Sequence, residues 1–311
     1  MFDTFSQLKR HEPLSKHSWY GLGGPADFFA EAKKAEEVAP LIAEAKKNKL
    51  PYFILGGGSN TIFHDEGFRG LVIKMVSDKL DFQTVTNQPA THTGIIMADA
   101  GASTTQLVKE SMDLGLTGLE GLYGLPGTVG GTIFGNAGAH GVEIGTFVEN
   151  VTLLDRGGEV KVVDKGYMDF SYRHSRLHET GEVVLSVTLK LDIMDENDSH
   201  MTALREKAAA ALNFRKEKQP VGKNNGSFFK NPKGDFAGRL IEAAGLKGYK
   251  IGGAYVSPKH ANFFMNDGTA KVEDILNLMR YVQGSVKEGF GILLEPEVRI
   301  ILPDGSIFHT K

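Results

Sequence analysis

Apolar positions along this chain alternate between the period of a helix and that of a strand. After a polar lead-in, Ala26 to Ala30 (ADFFA) is a compact apolar run that reads as a short strand. Across Glu36 to Lys47, Val38, Leu41, Ile42 and Ala45 recur on one helical face, with Pro40 near the first turn, where a missing N–H is tolerated. A buried strand follows at Tyr52 to Leu55 and runs straight into Gly56-Gly57-Gly58-Ser59-Asn60, and another returns at Leu71 to Met75 after Gly67 and Gly70. The opening pattern is a β-α-β-β unit.

Strand signals near Gly94 to Ala98 and Val151 to Leu154 bracket an amphipathic helix, Ser103 to Leu114, and a glycine-rich tract. Further strands read at Glu159 to Val163 and at Val183 to Leu191, where Val183, Leu185, Val187, Leu189 and Leu191 alternate. From Met201 the period becomes helical, with Ala203, Leu204, Ala208 and Leu212, and helices are expected again over Phe236 to Ala244 and Val272 to Val286. Val298 to Leu302, a Pro303-Asp304-Gly305 turn and Ser306 to His309 predict a closing hairpin. No fixed-period repeat is present, and the stretches Thr84 to His92 and Met194 to His200 are the expected domain boundaries.

Composition changes this picture in one respect. The chain has 311 residues, enough for two or three domains, with ordinary apolar and charged content but 38 glycines. Eleven of them fall between Gly115 and Gly145. Such density needs tight turns or main-chain N–H groups brought close to a ligand. A formal net charge of −3 without like-charge blocks argues against nucleic acid or an anionic membrane as the main partner, so a small molecule is expected. The absence of cysteine excludes disulfides, thiolate nucleophiles and Cys-ligated zinc or iron–sulfur clusters. With a polar N-terminus and no long apolar run, a cytoplasmic protein without a membrane span is expected. The histidines show no metal-ligand spacing, so no metal is assigned, and no Gly-x-Ser-x-Gly elbow favours a serine hydrolase.

GGGSN after a strand can form an anion nest from successive N–H groups, with Ser59 and Asn60 adding side-chain bonds. Thr61-Ile62-Phe63 then leads toward a strand instead of a helix, which disfavours a nicotinamide-type dinucleotide fold. Leu125-Pro126-Gly127-Thr128-Val129-Gly130-Gly131 and Gly135-Asn136-Ala137-Gly138-Ala139-His140-Gly141 repeat the same chemistry, and two such tracts suit a long diphosphate-linked dinucleotide between two domains. Tyr172-Arg173-His174-Ser175, Asn225 to Pro232 (NGSFFKNP) and Leu294 to Arg299 (LEPEVR) place polar residues in apolar surroundings. Taken singly, an arginine there reads as a solvated charge and a serine beside glycine as a turn residue.

Together, GGGSN, GLPGTVGG with GNAGAHG, SYRHS, Arg215-x-x-Lys218-x-Pro220, NGSFFKNP, VSPKHANFFMN and LEPEVR closely resemble the UDP-N-acetylenolpyruvoylglucosamine reductase (UDP-N-acetylmuramate dehydrogenase) family, in the family's order and over nearly the whole chain. The resemblance implies an α+β protein with an FAD-binding fold of the vanillyl-alcohol-oxidase (PCMH) type. It implies FAD-binding subdomains at 1–80 and 81–193 and an α/β substrate domain at 194–311 whose final strand could pack back on the flavin domains. The cofactor would be non-covalent FAD, with NADPH as co-substrate and a UDP-sugar enolpyruvyl ether as substrate. Gly56, Gly57, Gly58, Ser59 and Asn60, with Pro126, Gly127, Thr128, Gly130, Gly131, Asn136, Ala137 and Gly138, would hold FAD. Ser227 would be the proton donor and Arg173 and Glu297 its catalytic companions, with Tyr172, Arg215, Lys218 and Asn231 on substrate or NADPH. The short interval from Tyr172 to Arg215 matches the subtype without an extra tyrosine loop, and Gly135 and His140 stand where bulkier or aromatic residues are expected. The rival readings are an oxidase on the same fold and a non-enzymatic nucleotide-binding module, neither of which explains Arg173, Ser227 and Glu297 together.

Overall fold

The structure is a computed structural model that describes residues 2, 5, 8–85, 93–193 and 198–308. Its first part comprises β1 (Lys9–Pro13), β2 (Pro25–Ala32), α1 (Val38–Lys47), β3 (Tyr52–Leu55), β4 (Thr61–Phe63) and β5 (Phe68–Met75). Four of these strands form a sheet in the order β1-β2-β5-β3, parallel except for the β1 edge. Most of β5 is buried, which is why Leu71 to Ile73 reads as an unbroken apolar run. The apolar stripe of α1, Val38, Leu41, Ile42 and Ala45, is buried as its spacing requires.

The second part contains β6 (Leu80–Val85), β7 (Thr93–Asp99), α2 (Thr104–Asp113), β8 (Leu116–Thr117), α3 (Val129–Phe134), β9 (Gly138–Ala139), β10 (Val142–Glu143), β11 (Val148–Leu154), β12 (Val160–Asp164), α4 (Lys165–Met168), α5 (Leu177–Thr180) and β13 (Val183–Ile193). The large sheet runs β12-β11-β13-β7-β6, antiparallel throughout, with β8 on the end of β13. Ser103 caps α2 by accepting from the Gln106 N–H at 3.3 Å. Phe28, Ala30, Leu41 and Ile73 of the first part share one core with Val108, Val151, Leu153 and Val187 of the second.

The third part holds α6 (Asp198–Lys218), α7 (Ala237–Ala243), β14 (Lys250–Ile251), β15 (Ala254–Val256), β16 (Phe264–Asn266), α8 (Val272–Phe290) and β17 (Arg299–Ile301). Leu240, Ile241, Ile275, Met279 and Val282 pack with Phe228 and Phe229 in a second core, which also takes Tyr20 and Ile62 from the first part. The N–H of Val272 at the start of α8 donates to the Asp65 carboxylate at 2.8 Å. The chain therefore closes on itself: β17 pairs parallel with β4, Arg299 beside Thr61 and Ile301 beside Phe63.

The structure adds three features to the expected pattern. A helix, α3, sits inside the glycine tract, because apolar Val129 and Ile133 are buried while Gly130 lets the backbone approach Ala100. The closing hairpin forms, with Leu302 N donating to Ser306 O at 2.9 Å and Phe308 N to Ile300 O at 2.8 Å around the Ile301/Ile307 bridge, and β17 in addition pairs along its length with β4. The polar edge strand β1 carried no apolar signal. His309 and parts of both expected boundary stretches, 86–92 and 194–197, lie outside the described residues.

Candidate active site

The two glycine motifs meet face to face. Ser59 Oγ donates to the Pro126 carbonyl at 3.2 Å, and a Cβ added at Gly57 would lie 2.8 Å from Gly127 Cα, while one at Gly56 would collide with Thr128 Oγ1. Part of the glycine requirement is thus the approach of one loop to the other, where only a ligand had been expected. The expected dinucleotide still suits the junction. The N–H groups of Gly57, Gly58, Ser59, Asn60 and Thr128 have no partner among the described residues, and Thr128 Oγ1 is buried and unbonded. Successive free N–H donors beside an orphaned hydroxyl form a cradle for a diphosphate. A Cβ at Gly131 or Gly135 would meet nothing nearer than 3.7 Å, so this wall stays open to a flat ligand.

A Gly57→Ala variant must push the loops apart, at a cost of about 1–3 kcal/mol. FAD affinity measured by fluorescence is expected to weaken correspondingly. Gly284→Ala in α8, where nothing lies within 4 Å, is expected to leave FAD affinity unchanged.

Arg173 sits at the tip of a two-residue turn closed by reciprocal Ser171 and His174 backbone bonds of 3.1 Å. Its φ of 55° is left-handed, a conformation that costs a non-glycine residue about 1–3 kcal/mol and concentrates at functional sites. The turn is pinned by Ser175 Oγ, which donates to Phe134 O at 2.5 Å, and by Asn136 Nδ2, which donates to Ser171 O at 2.9 Å. Asn136 also donates to Glu143 and accepts from the Gly145 N–H, so its amide, expected on the cofactor, is fully used in bracing this turn. Aimed by these braces, the Arg173 guanidinium donates from Nε to Glu297 Oε1 at 2.9 Å and from Nη2 to Gly138 O at 2.8 Å, with its centre 5.0 Å from the Tyr172 ring.

Glu297 is the junction of the site. Its N–H donates to Phe228 O at 2.8 Å, and its carbonyl accepts from Asn60 Nδ2 at 3.1 Å. Burial raises its pKa above the usual carboxylate value, against the opposing pull of Arg173 and, more weakly, Lys230. Ser227 precedes Phe228 on the same segment and pairs with Phe263. That segment is rigid, because the Asn262 side chain accepts from Phe229 N at 3.0 Å and donates to Phe229 O at 2.8 Å. Ser227 itself is half-buried.

Tyr172 reaches across to the third part, where its hydroxyl accepts from Asn231 N at 3.3 Å, and Asn231 Oδ1 in turn accepts from Ala237 N at the start of α7. These two residues, with Lys230, Lys233, Leu293 and Glu295, line a cleft of about 290 Å³. Arg215 and Lys218 are not bonded into this cluster. Lys218 is exposed on the last turn of α6, whereas Arg215 lies against Gly124 with Nε and Nη2 buried and unpartnered, its pKa lowered by burial. His140 fills the place expected to be aromatic by meeting Phe214 edge-on at 5.2 Å. Arg299, which alone reads as a solvated charge, is instead held between the rings of Phe53 and Phe134.

Residues 26–164 match a family model described as FAD binding domain, and residues 217–301 match one described as UDP-N-acetylenolpyruvoylglucosamine reductase, C-terminal domain. The chain is 41% identical to the UDP-N-acetylenolpyruvoylglucosamine reductase of Caldanaerobacter subterraneus subsp. tengcongensis, over 95% of this chain and 94% of that one. It is 40% identical to the same-named protein of Latilactobacillus sakei, over 94% and 93%. The crystal structure of UDP-N-acetylenolpyruvylglucosamine reductase from Thermus caldophilus is similar at a TM-score of 0.75, with 34% identity, covering 93% of this chain and 97% of that one.

Proposed function

The chain belongs to the UDP-N-acetylenolpyruvoylglucosamine reductase family, and from that premise we propose which of its residues carry the reaction. The protein is an FAD-dependent oxidoreductase that uses NADPH to reduce UDP-N-acetylglucosamine enolpyruvate to UDP-N-acetylmuramate, in peptidoglycan precursor synthesis. Bound FAD supplies hydride transfer, from NADPH to the terminal methylene carbon of the enolpyruvyl ether.

The new C–H bond leaves an electron pair on the neighbouring carbon, delocalised into its carboxylate. Arg173 stabilises that developing charge, because a cationic donor fixed in advance acts without reorganising. Glu297 holds Arg173 through the 2.9 Å Nε contact and is a positioning residue, since a bare carboxylate beside the new charge would repel it. Ser227 gives its Oγ proton to the carbanionic carbon, completing the lactyl ether. Gly56 to Asn60, Pro126 to Thr128, Gly130, Gly131 and the backbone of Asn136 to Gly138 hold FAD. Tyr172 and Asn231 bind substrate or NADPH in the cleft, and Lys218 and the unpartnered Arg215 take their anionic groups. We keep the division 1–80, 81–193 and 194–311, with β17 returned to the first part, and a cytoplasmic placement; no described helix is long and apolar enough to cross a membrane.

One observation carries this assignment: Glu297 is bonded to Arg173 by its carboxylate, to Asn60 by its carbonyl and to Phe228, next to Ser227, by its N–H. The purified protein is expected to show flavin absorption and to oxidise NADPH rapidly only when the enolpyruvyl substrate is present. A colourless protein that takes up no FAD, or NADPH oxidation indifferent to that substrate, contradicts the reading.

The raised pKa of Glu297 sets a pH dependence. Because its folded value lies above its unfolded one, its contribution to stability is complete below the ordinary carboxylate pKa and is lost as pH rises through the raised value. Activity follows the opposite sense, since the ion pair with Arg173 needs the carboxylate. The acid limb of kcat is expected above the ordinary Glu range, and Glu297→Gln is expected to remove it while lowering the plateau.

A further inference from the structure

One acid lines a cleft that takes anions. The cleft of about 290 Å³ beside Tyr172 and Asn231 is edged by Lys230 and Lys233, and among its described lining residues Glu295 alone is acidic. A sugar nucleotide and NADPH both carry a diphosphate, so a carboxylate facing them opposes binding by like-charge repulsion. The fold does not call for that carboxylate. The Lys230 N–H donates to Glu295 O at 2.9 Å and Phe229 bridges to Pro296, so the two segments are joined by main chain whatever side chain stands at 295. The Glu295 side chain is 69% exposed, and an ion pair so open to water adds little stability.

Its partner gives the acid a purpose. Lys230 Nζ meets Glu295 Oε1 at 2.6 Å, and the lysine is only 25% exposed. Lys230 precedes Asn231, whose N–H donates to the Tyr172 hydroxyl at 3.3 Å. It also works against the burial that raises the Glu297 pKa, so its charge is felt at the reacting end of the site. Lys230 is thus the cation between the rim and the reacting residues, and Glu295 engages it. A diphosphate must displace that carboxylate before it can bond the ammonium. An ammonium on a flexible stem, with three rotatable donors, is suited to change partners.

The two ligands deliver to and draw from one flavin in turn, so each must leave before the other enters. A cleft edged by unopposed cations would retain the first.

We propose that Glu295 is an affinity-setting residue, which competes with the diphosphates of NADPH and of the sugar nucleotide for Lys230 and keeps both ligands exchangeable. The inference rests on the reading of the cleft given above.

The test is calorimetric titration of the oxidised holoenzyme with UDP and with NADP⁺, for wild type, Glu295→Gln, Lys230→Met and Glu273→Gln. Removing the acid is expected to tighten both ligands about fivefold, the effect of one unit charge at short range in water, and the gain is expected to shrink at high salt. Lys230→Met is expected to weaken both by at least as much. In turnover, Glu295→Gln is expected to lower KM for both substrates and to bring on inhibition by excess sugar nucleotide at lower concentration, because a ligand held longer blocks NADPH. Glu273→Gln, which removes an acid from α8 at the same cost in net charge, is expected to leave both affinities unchanged. Unchanged or weaker binding in Glu295→Gln overturns the proposal and leaves Glu295 as a tether that holds Lys230 in place. Equal tightening in Glu273→Gln also overturns it, since net charge is then the cause. Should Glu295→Gln not fold, Glu295→Ser replaces it. Wild-type holoenzyme that binds neither UDP nor NADP⁺ overturns the reading of the cleft and the proposal with it, whereas wild-type binding without the tightening fails the proposal alone.

Discussion

Ser227→Ala is expected to reduce its flavin with NADPH at close to the wild-type rate, and then to be reoxidised by the enolpyruvyl substrate about 10²–10⁴-fold more slowly. The asymmetry follows from where a proton is needed. Hydride leaves NADPH without any proton from the protein, whereas saturating the enolpyruvyl double bond requires one at the carbon bearing the carboxylate. Serine is a weak acid, but a carbanionic carbon is a strong base, so a hydroxyl held in place is an adequate donor. The structure provides the holding: Ser227 lies on a segment fixed by Asn262 on one side and by the Glu297 N–H on the other. Removing one oxygen from a half-buried position leaves those backbone bonds intact, so the variant is expected to fold and to keep its FAD. Stopped-flow measurement of both half-reactions checks the result; equal slowing of the two would assign Ser227 to cofactor placement instead of proton transfer.

Arg173→Met carries the second large effect, a loss of about 10²–10³ in kcat. Arg173 is the cation nearest the carboxylate of Glu297, and its strained φ of 55° marks a side chain held where its surroundings aim it. The variant also leaves Glu297 buried without its ion-pair partner, so the Glu297 pKa is expected to rise further. For that reason Arg173→Met and Glu297→Gln should not add: the double variant is expected to be little slower than Arg173→Met alone. Arg173→Lys is expected to recover only part of the rate, because lysine cannot hold both Glu297 and Gly138 with a planar fork. Full recovery with lysine, or strictly additive losses, would separate Glu297 from Arg173.

Long, strongly periodic elements were legible in the sequence. Tyr52 to Leu55 is β3 as read, the alternation from Val183 to Leu191 lies in β13, and the stripe from Val272 to Val282 is the buried face of α8. Elements whose stability is tertiary were not. α3 is six residues long and half of its first turn is glycine, so its helical conformation depends on packing beside Ala100 and not on propensity. β4 became a strand of consequence only because β17 returns to pair with it from the other end of the chain.

The site divides in the same way. Local motifs marked the two glycine loops but gave no sign of their mutual contact, and Arg173 and Glu297, which pair directly across 124 positions, stood out as candidates only through family resemblance. Arg299 was misread because charge suggests solvent. No local signal could have placed it between two rings from different parts of the molecule.

The central claim is that one site passes reducing equivalents from NADPH through FAD to an enolpyruvyl ether. The most direct measurement is an anaerobic single turnover in which the holoenzyme is reduced by one equivalent of NADPH and mixed with UDP-N-acetylglucosamine enolpyruvate. The account predicts that the flavin is reoxidised stoichiometrically, with one UDP-N-acetylmuramate formed per flavin and no reoxidation by UDP-N-acetylglucosamine lacking the enolpyruvyl group. Flavin that stays reduced with the enolpyruvyl substrate, yet is rapidly reoxidised when oxygen is admitted, would contradict it.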